Sequence, residues 1–202
     1  LPVLDYSPRN RDNLRAMGIA HAGLLEIGYH QNLTRIKPVE TKDIDVLFYG
    51  SLNQYRVDIL KALHQAGLKV VHLFDVYGKE RDAAIARSKV VLNLHHFKAQ
   101  VFEIVRVSYL LANRICVLTE GDPSDPDLRP FTGGLAIEPY ERLVKRCLAL
   151  VNDAAQRAEI AEAGFEAMRK RSQAAMLKEA MGAGYLPRPE DNEPALAGAA
   201  LS

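Results

Sequence analysis

The chain has 202 residues, of which 48% are apolar, and its formal net charge is +1. Such a composition is typical of a globular protein with one domain of ordinary core size, or at most two small domains. Basic residues are balanced by acidic ones without a Lys/Arg block, and no apolar stretch approaches the roughly 20 residues of a membrane span, so neither nucleic-acid binding nor a membrane span is expected.

The two cysteines predict free thiols. Cys116 lies in an apolar run and Cys147 in a helical pattern, and neither has ligand-like neighbours. Buried thiols in a reducing compartment therefore fit this sequence better than a disulfide or a metal site. The chain begins with Leu1 and shows no signal peptide. This predicts a piece of a longer protein, located in the cytoplasm.

The first segment predicts a short helix and then a strand. Ser7 is a suitable N-cap, Pro8 takes the first helical position, and Gly18 is a suitable stop. A short apolar run after the helix predicts a strand, and the turn residues that follow predict a linker ending near Asp43.

From Asp43 onward, short apolar runs alternate with helical patterns. Strands are predicted at 45–49, 68–74, 90–94, 115–118 and 135–137, and helices between them at 55–66, 79–87 and 101–112. This alternation predicts βαβ crossovers and therefore an α/β domain with a Rossmann-like parallel sheet flanked by helices. Further helices at 140–152, 154–171 and 172–181 predict a helical C-terminal part, and the tail 186–202 is predicted to be disordered.

The loop after the first strand of this sheet is a candidate binding loop, because ligands bind beyond the carboxyl ends of parallel strands. Gly50 allows close backbone approach, Ser51 offers a hydroxyl and an amide, and Arg56 is a possible partner for a diphosphate. The alternatives are that Gly50 simply forms a turn and that Arg56 is a solvated helix residue.

Two histidines and a lysine follow the central strand. His95 or His96 can donate a hydrogen bond to a phosphate or a sugar hydroxyl, and Lys98 can contact a phosphate. Adjacent histidines on an extended chain point to opposite sides, so a shared metal is not expected. The alternatives are a packed or surface histidine and a solvated lysine.

Glu103 and Arg106 lie three apart on a helix that is otherwise apolar on almost every face, which predicts a buried helix. One interpretation is that Glu103 favours the helix dipole and pairs with Arg106. The other is that its carboxylate accepts hydrogen bonds from ligand hydroxyls at the end of the sheet.

Three stretches resemble a known family. VLFYGSLNQYR, then VVLNLHHFKAQVFEIVRVSYLLANRICVLTE, then GGLAIEPYERLVKRCLALVND are similar to the C-terminal domain of GT-B glycosyltransferases, especially the branch that includes the spore maturation protein CgeB. The resemblance runs from about residue 43 to 171. It implies that 43–185 form a nucleotide-sugar-binding domain and that 1–42 cross from an N-terminal domain that is missing here.

The resemblance also implies site roles. Glu103 contacts the ribose or the donor sugar, while Gly50, Ser51 and Arg56 lie on the phosphate side. Arg56 or Lys98 stabilises the diphosphate when it leaves. The implied reaction transfers a sugar from a nucleotide-diphosphate sugar to an acceptor hydroxyl and needs no metal. The acceptor and any general base come from the missing domain, and no catalytic residue is assigned.

Two other functions stay open from the sequence. Many retaining members of the family carry a second glutamate where this chain has Ser108, which fits a non-catalytic nucleotide-sugar-binding module. A Rossmann-like interaction domain with an occluded cleft is the other, since fold alone does not determine function.

Overall fold

The structure is a computed structural model that describes residues 3–95 and 102–182. The described chain forms two compact units. One combines residues 3–28 with 172–182, and the other is Tyr29–Arg171. The predicted domain limits at 42 and 185 stay a prediction, and the predicted tail 186–202 lies outside the described residues.

The smaller unit contains a two-stranded parallel sheet. Its strands are β1, Val3–Asp5, and β2, Ala22–Leu24, and the helix α1, Pro8–Ala16, connects them. The predicted helix start is confirmed, because Ser7 is the N-cap and its hydroxyl accepts a hydrogen bond from the Asn10 amide at 3.3 Å. The last described helix, Gln173–Gly182, belongs to the same unit.

The larger unit contains a five-stranded parallel sheet. Its strands, in chain order, are β3 (Ile44–Tyr49), β4 (Val70–Leu73), β5 (Ser88–Asn93), β6 (Val117–Glu120) and β7 (Ala136–Glu138). They are arranged as β4-β3-β5-β6-β7, and every neighbouring pair is parallel. The sequence prediction of a parallel sheet is therefore confirmed, with strand limits shifted by one or two residues.

Helices cover both faces of this sheet. They are α2 (Gln54–Gln65), α3 (Gly78–Ala86), α4 (Ile104–Ala112), α5 (Leu143–Asn152) and α6 (Ala154–Arg169). Alternate residues of β3 and β5 point to opposite faces. Val46, Phe48 and Leu92 pack in one core with α2 and α5, while Leu47 is buried on the face where α3 and α4 lie. This confirms the predicted α/β class.

Helix α4 differs from its prediction. It begins at Ile104, and Phe102 and Glu103 before it are not helical. The helix is also not buried on every face, since Val105 is 57% exposed whereas Val107, Leu110 and Leu111 are fully buried. The apolar pattern alone did not distinguish the exposed valine from the buried ones.

No helix among residues 3–95 and 102–182 is long and apolar enough to cross a lipid bilayer.

Candidate functional site

The carboxyl ends of β3, β5 and β6 bring a glycine and several polar side chains to one edge of the sheet. Gly50 follows β3, His95 follows β5, and Glu120 is the last residue of β6. Glu103 joins them from the residue that precedes α4. This edge is where open parallel sheets bind ligands. The structure thus brings these residues together, and their role as ligand contacts stays a prediction.

Gly50 has a conformation and a setting that require glycine. Its φ is +134°, and a Cβ atom added there would lie 3.1 Å from Nη2 of Arg106. Its amide donates to the Leu73 carbonyl at 2.9 Å, and its carbonyl accepts from Nε2 of His72 at 2.7 Å. The glycine thus leaves room for an arginine side chain and ties the loop to the edge strand β4.

Arg56 is a buried guanidinium with several partners. Its side chain is 2% exposed, although it lies in the first turn of α2. It donates to the carbonyls of Ser51 at 2.9 Å, Leu94 at 2.5 Å and His95 at 3.2 Å, and to Oε1 of Glu103 at 3.1 Å. Burial lowers the pKa of Arg56, and Glu103 opposes that shift. The alternative of a solvated helix residue is therefore wrong.

The Glu103 carboxylate lies between two guanidinium groups. Oε1 accepts from Arg56, and Oε2 accepts from Nη2 of Arg106 at 2.8 Å. The pairing with Arg106, one of the two interpretations of the sequence, is present. The carboxylate is still 28% exposed, and an ionised carboxylate has about four lone-pair sites. Acceptance from a ligand hydroxyl stays a prediction.

Arg106 joins the polar cluster to the aromatic residues of β3. Its guanidinium lies 5.1 Å from the ring centroid of Tyr49, and Nη1 donates to Oδ1 of Asn93 at 3.4 Å. Burial raises the pKa of Tyr49 to about 12. Tyr49 therefore stays neutral at physiological pH, and its ring can attract the cation through its π face.

His95 has one ring nitrogen without a partner. The imidazole is buried, and Nδ1 has no hydrogen-bond partner among the residues that the structure describes. Its backbone amide donates to Oε2 of Glu120 at 3.1 Å. A buried polar atom without a partner needs an explanation, so His95 keeps its predicted place among the candidate ligand contacts.

Glu120 is a site residue that the sequence analysis missed. It is 3% exposed, and besides the His95 amide it accepts a hydrogen bond from the Tyr55 hydroxyl. The Tyr55 ring stacks on Tyr140 with 4.1 Å between centroids. Burial raises the pKa of Tyr55, and Glu120 raises it further. The sequence signal that could have identified Glu120 is an acidic residue at the end of a strand that begins with apolar residues.

The other predicted residues are less informative. Ser51 is exposed, and its carbonyl accepts the bond from Arg56. Lys98 and His96 lie outside the described residues. Within the described ranges, no group of three or more His, Cys, Asp or Glu side chains is placed to hold a metal ion. The four charged residues Arg56, Arg106, Glu103 and Glu120 have no formal net charge together.

No family model matches this chain. Two uncharacterized proteins of Acanthamoeba polyphaga mimivirus are similar to it in sequence. One is 29% identical over 165 residues, and the other is 25% identical over 162 residues. Each match covers 76% of this chain, but only 18% of the first protein and 52% of the second. The chain therefore spans at most about half the length of these relatives.

Solved glycosyltransferases are similar in structure. HepE from Anabaena, solved with UDP and glucose, has a TM-score of 0.65 at 12% identity, and the match covers 92% of this chain and 63% of HepE. TarM from S. aureus has a TM-score of 0.66 at 12% identity, covering 90% of this chain and 43% of TarM.

A single domain gives a third comparison. The C-terminal domain of the group 1 glycosyl transferase LpcC from Francisella tularensis has a TM-score of 0.51 at 9% identity, and the match covers 71% of this chain and 97% of that domain. Identities this low show the fold and not the activity. The chain has the α/β fold of GT-B glycosyltransferase domains.

Proposed function

We propose that this chain is the donor-binding domain of a glycosyltransferase, which transfers a sugar from a nucleotide-diphosphate sugar to an acceptor. The observation that carries the proposal is the cluster of Arg56, Glu103 and Arg106 beside Gly50. The cluster lies at the sheet edge where this fold class binds ligands. The GT-B fold of the chain supports the same function.

In this proposal the two arginines hold the carboxylate of Glu103 in one position. Glu103 then accepts hydrogen bonds from hydroxyls of the ribose or of the donor sugar through its remaining lone pairs. Because Arg56 and Arg106 contact it from two sides, the carboxylate needs little reorganisation when a ligand binds.

The donor's diphosphate lies at the loop Gly50–Ser51 and the N-terminus of α2 in this proposal. Helix N-termini favour negative charge, and α2 begins at Gln54, after Leu52 and the N-cap Asn53. Positive charge of Arg56 and, by the family resemblance, Lys98 stabilises the departing diphosphate. No metal is required for this role, since backbone amides and cations supply the positive potential.

The acceptor site and the general base are proposed to lie in a separate N-terminal domain. The matched structures of HepE and TarM extend well beyond the part that this chain covers. The domain by itself should therefore bind donor but turn over little of it. Sugar transfer by this chain alone, at a rate close to that of a longer protein, would contradict this part of the proposal.

Titration calorimetry with UDP, GDP and their sugars tests the proposal. UDP-glucose is the first probe, because HepE has been solved with it. Wild-type protein should bind one nucleotide sugar, and Glu103→Gln should weaken that binding by about 10-fold or more, the loss of roughly one charge-assisted hydrogen bond.

The control for this titration is Glu162→Gln. Glu162 is also paired with an arginine, Arg114, but it lies on α6 and is 53% exposed. Its substitution should leave nucleotide-sugar affinity unchanged. Two results together would favour a Rossmann-like interaction domain instead. No nucleotide or nucleotide sugar would bind or shift the melting temperature, and Glu103→Gln would change only the stability of the protein.

A non-catalytic binding module is the second candidate. Ser108, which stands where many retaining members have a second glutamate, is 3% exposed, and its hydroxyl donates to the Val105 carbonyl at 3.2 Å. Because Ser108 is a serine and its hydroxyl bonds within its own helix, it does not replace the second carboxylate. A product assay on a longer form of the protein separates the two candidates, because only the enzyme releases free nucleoside diphosphate in the presence of acceptor.

A further inference from the structure

A second cavity lies at the opposite edge of the sheet, where β5 and β6 begin. Its volume is about 420 Å³, and its wall includes Ser88 at the start of β5, Cys116 just before β6, and the first turns of α6. The amino ends and the carboxyl ends of parallel strands lie at opposite edges of a sheet. The cavity is therefore separate from the candidate donor site.

Positive side chains dominate the wall of this cavity. Four basic residues, Lys42, Lys89, Arg114 and Arg157, line it together with one acidic residue, Glu162. Two of the four are neutralised by carboxylates, since Lys89 pairs with Asp45 at 2.6 Å and Arg114 pairs with Glu162 at 2.7 Å.

The other two cations have no carboxylate within ion-pair distance among the described residues. Lys42 donates from Nζ to the carbonyls of Ala86 at 2.9 Å and Ser88 at 3.0 Å. Arg157 donates from Nη1 to the carbonyls of Leu150 at 2.6 Å and Val151 at 2.7 Å. These bonds hold Lys42 beside the C-terminus of α3 and Arg157 beside the C-terminus of α5. Basic residues near a helix C-terminus commonly donate to its last carbonyls. A carbonyl carries no net charge, however, so both unit charges remain.

The N-terminus of α6 reaches the cavity at Ala154, but its N-cap Asp153 carries a carboxylate that accepts a hydrogen bond from the Gln156 amide at 2.8 Å. That carboxylate offsets the positive end of the helix dipole, whereas Cys116 suits a negative ligand. Burial raises the pKa of the Cys116 thiol to about 11. The thiol therefore stays neutral at physiological pH and does not neutralise the cations as a thiolate would.

From the cavity, Lys42 and Arg157 we infer a binding site for a small phosphomonoester at the amino edge of the sheet. The phosphate group lies between the two cations, which carry the charge that a dianion requires. The cavity is within the size range of small-molecule sites and much larger than a bare phosphate ion. Ile115, Ala158 and Ala161 give it an apolar side for a small organic body.

Thermal unfolding in phosphate and in glycerol phosphate tests the site, with chloride at the same ionic strength as the reference. Either anion at about 10 mM should raise the melting temperature of the wild type by about 2 °C or more, because a ligand that binds only the folded state stabilises it. Lys42→Gln and Arg157→Gln each keep an N–H donor for the carbonyls but remove one charge. Both should lose most of the shift.

Lys61→Gln is the matched control, because it makes the same charge change on α2, at an exposed position away from this cavity. It should keep the full shift. An unchanged melting temperature of the wild type, or a shift that survives in Lys42→Gln, overturns the inference. The latter result would place the phosphate elsewhere, for example at the candidate donor site.

Co-sedimentation with vesicles that contain phosphatidic acid distinguishes a lipid headgroup from a free phosphomonoester as the source of the phosphate. Capture of wild type and Lys61→Gln, but not of Lys42→Gln, supports the site with a lipid as its source. A response to glycerol phosphate without capture supports a free metabolite. Nucleotide-sugar binding should be equal in wild type and Lys42→Gln, so the outcome here does not depend on the proposed function.

Discussion

Nη2 of Arg56 lies 3.1 Å from Oε1 of Glu103, although the two residues are 47 positions apart in the sequence. Arg56 comes from the first turn of α2, and Glu103 immediately precedes α4, on the other side of the central strand β5. A guanidinium that is 2% exposed needs a compensating charge. The ion pair therefore connects the stability of the larger unit to the residue that we propose as the ligand contact.

Arg56→Lys should destabilise the protein by about 2–4 kcal/mol, because a single ammonium cannot reach the three carbonyls and the carboxylate that the guanidinium contacts. Urea unfolding measures the change. Arg142→Lys is the control, since Arg142 is exposed and its substitution should change the free energy of unfolding by less than about 0.5 kcal/mol. Equal effects of the two substitutions would contradict the role of Arg56.

Tyr55→Phe should cost about 1–2 kcal/mol of stability. The substitution removes the hydroxyl that donates to Glu120 and leaves that buried carboxylate with the His95 amide as its donor among the described residues. A buried acceptor that loses a partner is destabilising. Tyr140→Phe serves as the comparison in the same urea experiment. It removes an exposed bond to the Tyr55 carbonyl and should cost far less; the reverse order of effects would contradict a stabilising bond between Tyr55 and Glu120.

Gly50→Ala should destabilise the protein by about 2 kcal/mol or more, because alanine is strained at a φ of +134° and its Cβ would crowd Arg106. Gly67→Ala is the matched substitution, since Gly67 also has a positive φ, +87°, but no atom of the described residues lies within 4 Å of an added Cβ. Chemical denaturation measures the cost of both substitutions, and Arg106→Ala separates the contact with Arg106 from the backbone strain.

The contact is confirmed if Gly50→Ala costs more than Gly67→Ala and if Arg106→Ala reduces that difference. A difference that persists without the Arg106 side chain would assign the whole cost to the backbone. Nucleotide-sugar affinity of Gly50→Ala should fall as well, because the proposed phosphate loop would shift.

The two buried thiols predict a loss of stability at alkaline pH. Burial raises the pKa of Cys116 to about 11 and that of Cys147 to about 12, from an ordinary value of 9.0. Above pH 9 the unfolded chain releases these protons while the folded chain keeps them. The free energy of unfolding should therefore fall with rising pH, by up to about 1.4 kcal/mol per pH unit for each thiol.

Urea unfolding between pH 8 and pH 10 measures this slope. That window lies below the range in which the tyrosines with raised pKa, such as Tyr49, contribute most. Cys147→Ala should reduce the slope, whatever its effect on stability at pH 8. An unchanged slope in Cys147→Ala would show that another group causes the decline.

The sequence was sufficient to predict the parallel sheet, the order of strands and helices along the chain, and the Ser7 cap. These features depend on short-range patterns, since a strand that is covered on both faces needs a continuous apolar run and a cap needs only the residues of one helical turn. The same reasoning found Gly50, Arg56 and Glu103 as residues at one edge, because carboxyl ends of parallel strands meet there.

The tertiary structure alone decided which side chains pair with each other at that edge. Arg56 could have been solvated, and Glu103 could have paired with Arg106 only; the order β3-β5-β6 instead places Arg56 against Glu103 and Tyr55 against Glu120. The apolar pattern predicted the buried strands, but not that Arg56 is buried and Val105 exposed, and not which distant residues meet. The energy of a buried charge depends on its partner, since an opposite charge about 3 Å away offsets part of the cost of leaving water.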